Sequence, residues 1–176
     1  MGWPQIIVLL VAAQRLGELA LAQRNTRRLL ADGAREEGAG HYPLFVLLHG
    51  GWLAALFALT PADAPVNPWL LALFVLLQLG RVWVIASLGR YWTTRVVTLP
   101  GAPLVRRGPY RWVRHPNYLV VAGELAVLPL AFGEVGLAVL FSLLNLPLTW
   151  HRIRVEEGAL AQRVQTSGLS PAAPPR

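Results

Sequence analysis

The 176-residue chain contains no cysteine and no lysine. The first absence excludes disulfides, thiolate catalysis and cysteine-based metal sites, and leaves the redox compartment open. The second leaves every basic position to arginine, and with a composition rich in alanine and leucine it points to a bacterial source. Neither a long-period repeat nor inverted halves can be traced, which counts against a transporter built from repeats. No positive charge precedes the first apolar run and the first arginine is Arg15, so a cleavable signal peptide is not expected. The four histidines form no spaced ligand set, so no metal is expected.

Apolar residues fill the space these absences leave. They make up 55% of the chain, and a mean hydropathy of +0.46 is too high for an ordinary soluble domain. Five apolar stretches can be marked, at about 4–22, 43–60, 68–89, 118–132 and 135–151. The middle ones are long enough to cross roughly 30 Å of hydrocarbon. The fold predicted is therefore all-α, an integral membrane bundle of about five helices forming one domain over residues 1–160. The last two stretches are short, contain Pro129 and Pro147 and meet at Phe132-Gly133-Glu134, which reads as a kinked helical hairpin. Residues 161–176 are polar and proline-rich and are expected to be a disordered tail.

A net charge of +7 and a pI near 11.2 fit nucleic acid in principle, but the arginines track the membrane instead. Arg24, Arg27, Arg28 and Arg35 follow the first stretch; Arg90, Arg95, Arg106, Arg107, Arg111 and Arg114 separate the third and fourth; Arg152, Arg154, Arg163 and Arg176 follow the fifth. The remaining connections carry only Asp63 and Glu134. The positive-inside rule then predicts five spans in a bacterial inner membrane, N-terminus outside and C-terminus inside. Membrane lipids are the expected surroundings, and no nucleic-acid partner is.

Within the loop before the fourth stretch, "RRGPYRWVRHPNYLVV" (106–121) has an order that topology alone does not explain. Pro116 suits the first position of a helix and pushes His115 out of the α region, so His115 is predicted as the N-cap. The free N–H groups beside His115, Arg114 and Arg111 then offer a place for a carboxylate or phosphate, with Tyr118 in the same first turn. Gly108 and Pro109 allow a bend that returns Tyr110 and Trp112 over that place. On the same predicted side, "HRIRVEEGAL" (151–160) spaces Arg152 four residues before Glu156 and Arg154 three before Glu157, so each pair can meet on a helix surface. Acidic and basic groups converging there make a pocket suited to a zwitterion.

Several polar residues fall inside predicted spans: Arg15 with Glu18, Gln78 with Arg81, and Glu124. Such groups are expensive in lipid and face the bundle interior. Arg15 and Glu18 are placed to pair within their helix, and Arg81 to reach Glu124, either as polar spots of an acceptor tunnel or as interhelical glue. Tyr91 and Trp92 follow the third stretch and either line the cleft or anchor the helix.

Gly108-Pro109-Tyr110, Arg114-His115-Pro116-Asn117-Tyr118, and Arg152-Ile153 with Glu156-Glu157 after a helical hairpin resemble the isoprenylcysteine carboxyl methyltransferase family of integral membrane enzymes. Over residues 80–160 this resemblance is strong, and "RLGELALAQRN" with "GAREEGAGHY" resembles the bacterial branch associated with type III polyketide synthases. It implies S-adenosyl-L-methionine as cofactor, held in the half of the chain at about 80–160 by Tyr110, His115, Pro116, Tyr118, Glu156 and Glu157. Arg152, with Glu156, would carry catalysis by orienting the acceptor or locking that glutamate, while Arg81, Trp92 and Glu124 would meet the acceptor. The polar end of the chain departs from many relatives, which leaves open whether it forms a lid.

The activity implied is transfer of a methyl group to an oxygen of a lipophilic acceptor. The acceptor is either a hydroxyl of a long-chain alkylpyrone or alkylresorcinol, which would link the chain to a type III polyketide synthase, or a prenylcysteine-like carboxylate. An ionised carboxylate or acidic enol needs no base, whereas a phenol gains from one, for which His41 and His49 are candidates. Two other classes stay open: a membrane reductase using NADPH, since sterol reductases resemble the family's C-terminal half, and a non-enzymatic membrane protein.

Overall fold

Each of the five apolar stretches becomes a helix. The computed structural model describes residues 1–166 and places them as α1 (Trp3–Ala31), α2 (Tyr42–Leu59), α3 (Pro68–Leu88), α4 (Pro116–Ala131) and α5 (Val135–Thr166). Three helical segments, Trp3–Ala31, Ala39–Leu59 and Pro68–Tyr91, are long and apolar enough to cross a membrane. Apolar α4 has 16 residues, about 24 Å at the helical rise. Large apolar side chains including Leu10, Leu47, Leu76, Leu119 and Leu143 face outward, as a bilayer solvent requires.

Local chemistry sets where the helices start and stop. Pro68 opens α3 behind Asn67, whose side chain accepts from the N–H groups of Trp69 and Leu70 at 3.0 and 3.2 Å. Gly133, at φ +80°, ends α4: its own N–H reaches the Leu130 carbonyl and that of Glu134 reaches the Pro129 carbonyl, the two bonds of a Schellman motif. Pro129 and Pro147 thus lie inside helices that continue through them, and the predicted hairpin turn falls at residues 132–134.

Two helices run further than their apolar stretches. α1 continues past residue 22 through Arg24, Arg27 and Arg28, which are good helix formers, until Gly33 at φ +91° closes it in a second Schellman motif. α5 likewise continues from its apolar half into the polar segment, with no proline between Pro147 and Thr166 to stop it. Of the tail expected at 161–176, residues 161–166 continue α5 and the remainder lies outside the described residues.

One element was not expected. A two-stranded antiparallel ribbon pairs β1 (Arg35–Glu37) with β2 (Val96–Thr98), with Glu36 opposite Val97. Arg95 extends the pairing through its Nη1, which donates to Glu36 Oε1 at 2.9 Å. The ribbon joins the loop after α1 to the loop after α3 and packs against α5.

The interior is layered along the bundle axis. At the arginine-poor end, Val8, Val11, Leu48, Trp52, Leu56, Phe74, Leu125, Leu128 and Phe141 form the apolar core. Gln5 Nε2 donating to the Thr60 carbonyl at 2.7 Å, and Asn67 N–H donating to the Ala131 carbonyl at 2.8 Å, close that end. The other end is closed by Asn25, whose Nδ2 donates to the Gly89 and Trp92 carbonyls at 3.2 and 2.8 Å.

Between these ends sits a charged quartet. Arg15 and Glu18 pair on α1 at 2.8 Å, and Arg15 also reaches Glu124 of α4 at 2.7 Å. Arg81 of α3 binds Glu18 at 2.6 Å and Glu124 at 3.5 Å. Gln78 donates to Glu124 and Gln14 to Gln78, at 2.9 and 2.8 Å. Both pairings expected from the sequence form, and the cross-links from α1 to α3 and α4 come in addition.

Candidate functional site

The arginine-rich end brings the two sequence motifs together. His115 is the N-cap of α4, and Tyr118 follows within the first turn. Opposite stands the polar half of α5, which presents Arg152, Glu156 and Glu157 on consecutive turns. Tyr118 Oη donates to Glu156 Oε2 at 2.5 Å, while Arg152 Nε donates to Tyr118 Oη at 3.1 Å. His115 faces both acids, with Nε2 3.4 Å from Glu157 Oε1 and Nδ1 3.8 Å from Glu156 Oε1. Arg114 stands 3.8 Å from Glu157 and is largely exposed.

Arg152 is the hub of this arrangement. Besides Tyr118, its Nη2 donates to the Thr94 carbonyl at 2.7 Å, and its guanidinium lies 5.1 Å from the Phe45 ring centroid. The loop that leads into β2 therefore fixes the group, a contact no sequence pattern advertised. It also replaces an expected pair: Arg152 reaches Glu156 through Tyr118 and forms no ion pair with it among the described residues. Arg154, expected beside Glu157, instead lies 4.7 Å over the Trp150 ring. In each case an aromatic or carbonyl group in the interface competes with the solvated pair and wins.

Residues 108–111 form a single 3₁₀ turn that carries Tyr110 toward the acids. Burial, and then the negative charge of Glu156, push the Tyr110 hydroxyl above its ordinary value, so it stays a neutral donor. Trp112 does not fold over the site: it is 72% exposed and packs 5.8 Å from Trp83. Gly108 makes the turn possible, since it sits at φ +57° and any Cβ there would collide with the Ser87 hydroxyl of α3. Gly108→Ala is expected to lower stability by about 1–3 kcal/mol, read as a fall in melting temperature in detergent; Ser87→Gly should recover only the part due to the collision.

The remaining sequence candidates are spread differently. Arg81 and Glu124 meet each other in the quartet, and Glu124 lies six residues beyond Tyr118, about 9 Å deeper along α4. Trp92 is 3% exposed, with its carbonyl held by Asn25. Pro116 is buried at the first position of α4. His41 lies edge-on to His151, 5.3 Å between ring centroids, while His49 accepts a place deeper in α2 with Nδ1 2.8 Å from the Phe45 carbonyl. Asn117 Oδ1, in the first turn of α4, is buried with no hydrogen-bond partner among the described residues. A hollow of about 390 Å³ lined by Pro65, Asn67, Trp69 and Gly133 lies at the opposite end, remote from all of this chemistry.

Comparison with known proteins matches residues 70–162 to the model of the isoprenylcysteine carboxyl methyltransferase (ICMT) family. The chain is 38% identical to uncharacterized protein YpbQ of Bacillus subtilis (strain 168) over 166 residues, covering 92% of this chain and 98% of the relative. It is 27% identical to an uncharacterized protein of Haemophilus influenzae over 157 residues, covering 86% and 91% respectively. No solved structure matches.

Proposed function

The chain belongs to the isoprenylcysteine carboxyl methyltransferase family and is an integral membrane protein, and from that premise we propose that it is an S-adenosylmethionine-dependent O-methyltransferase of lipophilic acceptors. Its active site lies at the arginine-rich end, facing the cytoplasm of a bacterium. One observation carries this reading: the start of α4 and the polar half of α5 converge through Tyr118, Glu156, Arg152 and the His115–Glu157 contact.

The residues fit the chemistry of the cofactor. S-adenosylmethionine is a zwitterion with a ribose diol, and when bound it supplies an electrophilic methyl group. Glu156 and Glu157 suit its amine or its hydroxyls, and His115, Arg114 and the free N–H groups opening α4 suit its acid group. Asn117 Oδ1, buried and unpartnered, leaves one further acceptor unspent in the same turn. Tyr110 donates as a neutral hydroxyl, Pro116 shapes the turn, and Arg152 orients both Tyr118 and the incoming oxygen. Positioning of this kind accounts for most of what a protein can add to a displacement.

The acceptor enters from the bilayer, past the quartet, where Arg81 and Glu124 give a polar foothold and Trp92 borders the path. Its class is a hydroxyl on a long-chain alkylpyrone or alkylresorcinol, the product type of a type III polyketide synthase, or else a prenylcysteine-like carboxylate. Calorimetry on detergent-purified protein tests the cofactor: wild type should bind S-adenosylmethionine, and His115→Ala should bind it about tenfold more weakly, the loss of one hydrogen bond to a charged group. A labelled-methyl screen over lipid phenols, pyrones and prenylcysteines then finds the acceptor. Absence of binding in both detergent and nanodiscs sinks the reading, and preference for NADPH would make the protein a reductase.

A further inference from the structure

His49 stands on α2, outside the segment matched to the family, so membership assigns it nothing. Its Nδ1 lies 2.8 Å from the Phe45 carbonyl, and a carbonyl can only accept. A neutral imidazole bound this way keeps its proton on Nδ1 and presents a lone pair at Nε2. Among the described residues Nε2 has no hydrogen-bond partner and no carboxylate pairs with the ring, because Glu18 and Glu124 are engaged by Arg15 and Arg81.

The ring is also placed between two charged layers. Phe45 stacks on His49 with centroids 6.4 Å apart and planes at 28°, and the same ring is also packed by the Arg152 guanidinium and, edge-on, by His41. The positive charges of Arg15 and Arg81 reach His49 from the quartet, and that of Arg152 from the site. An acceptor oxygen at Nε2 would meet the lone pair, with the Arg152 guanidinium beyond, against the same Phe45 ring. Any negative charge formed on that oxygen would face the Arg152 guanidinium, since Arg15 and Arg81 are already matched by Glu18 and Glu124.

We propose that His49 is a catalytic residue that takes the proton from a neutral hydroxyl acceptor, a phenol or enol, and that this defines the acceptor class. The proposal rests on the methyltransferase reading above. The O–H bond breaks with its proton going to Nε2, the oxygen electron pair forms the new O–C bond, and the C–S bond breaks with its pair left on sulfur as a neutral thioether. The proton then leaves Nε2 for water. Acceptors already ionised have no proton to give and make no use of His49.

The test compares two phenols with the same alkyl tail on wild type and His49→Gln: a resorcinol, neutral near pH 7, and a nitrophenol, largely ionised there. The variant should lose about a hundredfold in methyl transfer to the resorcinol and less than threefold to the nitrophenol. Because both rates come from one preparation, their ratio is independent of how much of the variant is folded. A second readout uses no cofactor: at the pH where the nitrophenol is half ionised in empty micelles, its absorbance when bound to wild type should show a larger phenolate share than when bound to His49→Gln. Equal losses for the two acceptors, an unchanged phenolate share, or a wild type that methylates the nitrophenol but never the resorcinol each overturn the assignment of His49. If wild type methylates neither acceptor nor any other in the screen, the methyltransferase reading fails and takes this inference with it.

Discussion

Glu156→Ala is expected to lower the affinity for S-adenosylmethionine by about 30- to 150-fold, the equivalent of about 2–3 kcal/mol. The carboxylate does two things at once. It accepts the 2.5 Å bond from Tyr118, and it faces His115 at 3.8 Å. Its removal leaves the Tyr118 hydroxyl with a donor, Arg152 Nε, and no acceptor, so the residue that links α4 to α5 loses its preferred orientation. Glu156→Gln keeps an acceptor for Tyr118 but not the charge, and should lose about tenfold. The side chain is about one-third exposed, so the melting temperature should move little while the affinity falls. Calorimetry beside a thermal melt separates the two quantities. Unchanged binding by Glu156→Ala, or a protein that binds normally once refolded, would remove Glu156 from the cofactor site.

The largest loss of stability is expected at the quartet. Glu124→Leu leaves the guanidiniums of Arg15 and Arg81 with Glu18 as their remaining carboxylate, inside a bundle where neither can reach water. Uncompensated buried charge of this kind costs about 3–5 kcal/mol. Replacing all four members by leucine removes charge and partner together and should cost far less than Glu124→Leu alone. Thermal or denaturant unfolding in detergent measures both. A Glu124→Leu protein as stable as wild type would mean that the four groups are not mutually engaged in the membrane, where intramembrane charges are normally paired.

Helices and their order were legible because apolar length is a strong signal and because Gly133 and Pro116 mark boundaries by local rules that need no tertiary context. The same local rules placed His115 at the head of α4. Convergence of that helix with Glu156 and Glu157 followed from charge asymmetry of the loops, since both motifs fall on the arginine-rich side. What escaped was set at long range. Residues 35–37 are charged and 96–98, though β-branched, are only three long, too little to read as strands, and their pairing depends on two loops meeting about sixty residues apart. Thr94 contributes a carbonyl to Arg152, and a backbone group carries no side-chain signature. The surface pairs Arg152–Glu156 and Arg154–Glu157 failed because i,i+4 and i,i+3 ion pairs are weak, a few tenths of a kcal/mol, and Tyr118 and Trp150 offered better partners.

The Arg15–Glu18 pair has a meaning for biosynthesis. Chains emerge N-terminus first, so α1 must settle in the bilayer before α3 brings Arg81 and α4 brings Glu124. One turn apart and bound to each other at 2.8 Å, Arg15 and Glu18 make the apolar part of α1 electrically neutral by itself. A lone arginine or glutamate at that depth would have to wait in lipid, or drag water with it, until later synthesis supplied Glu124 for Arg15 or Arg81 for Glu18. Self-neutralisation lets the first span insert early, and the later arrivals then divide its charges between helices, locking the N-terminal span onto the part of the chain that carries the chemistry.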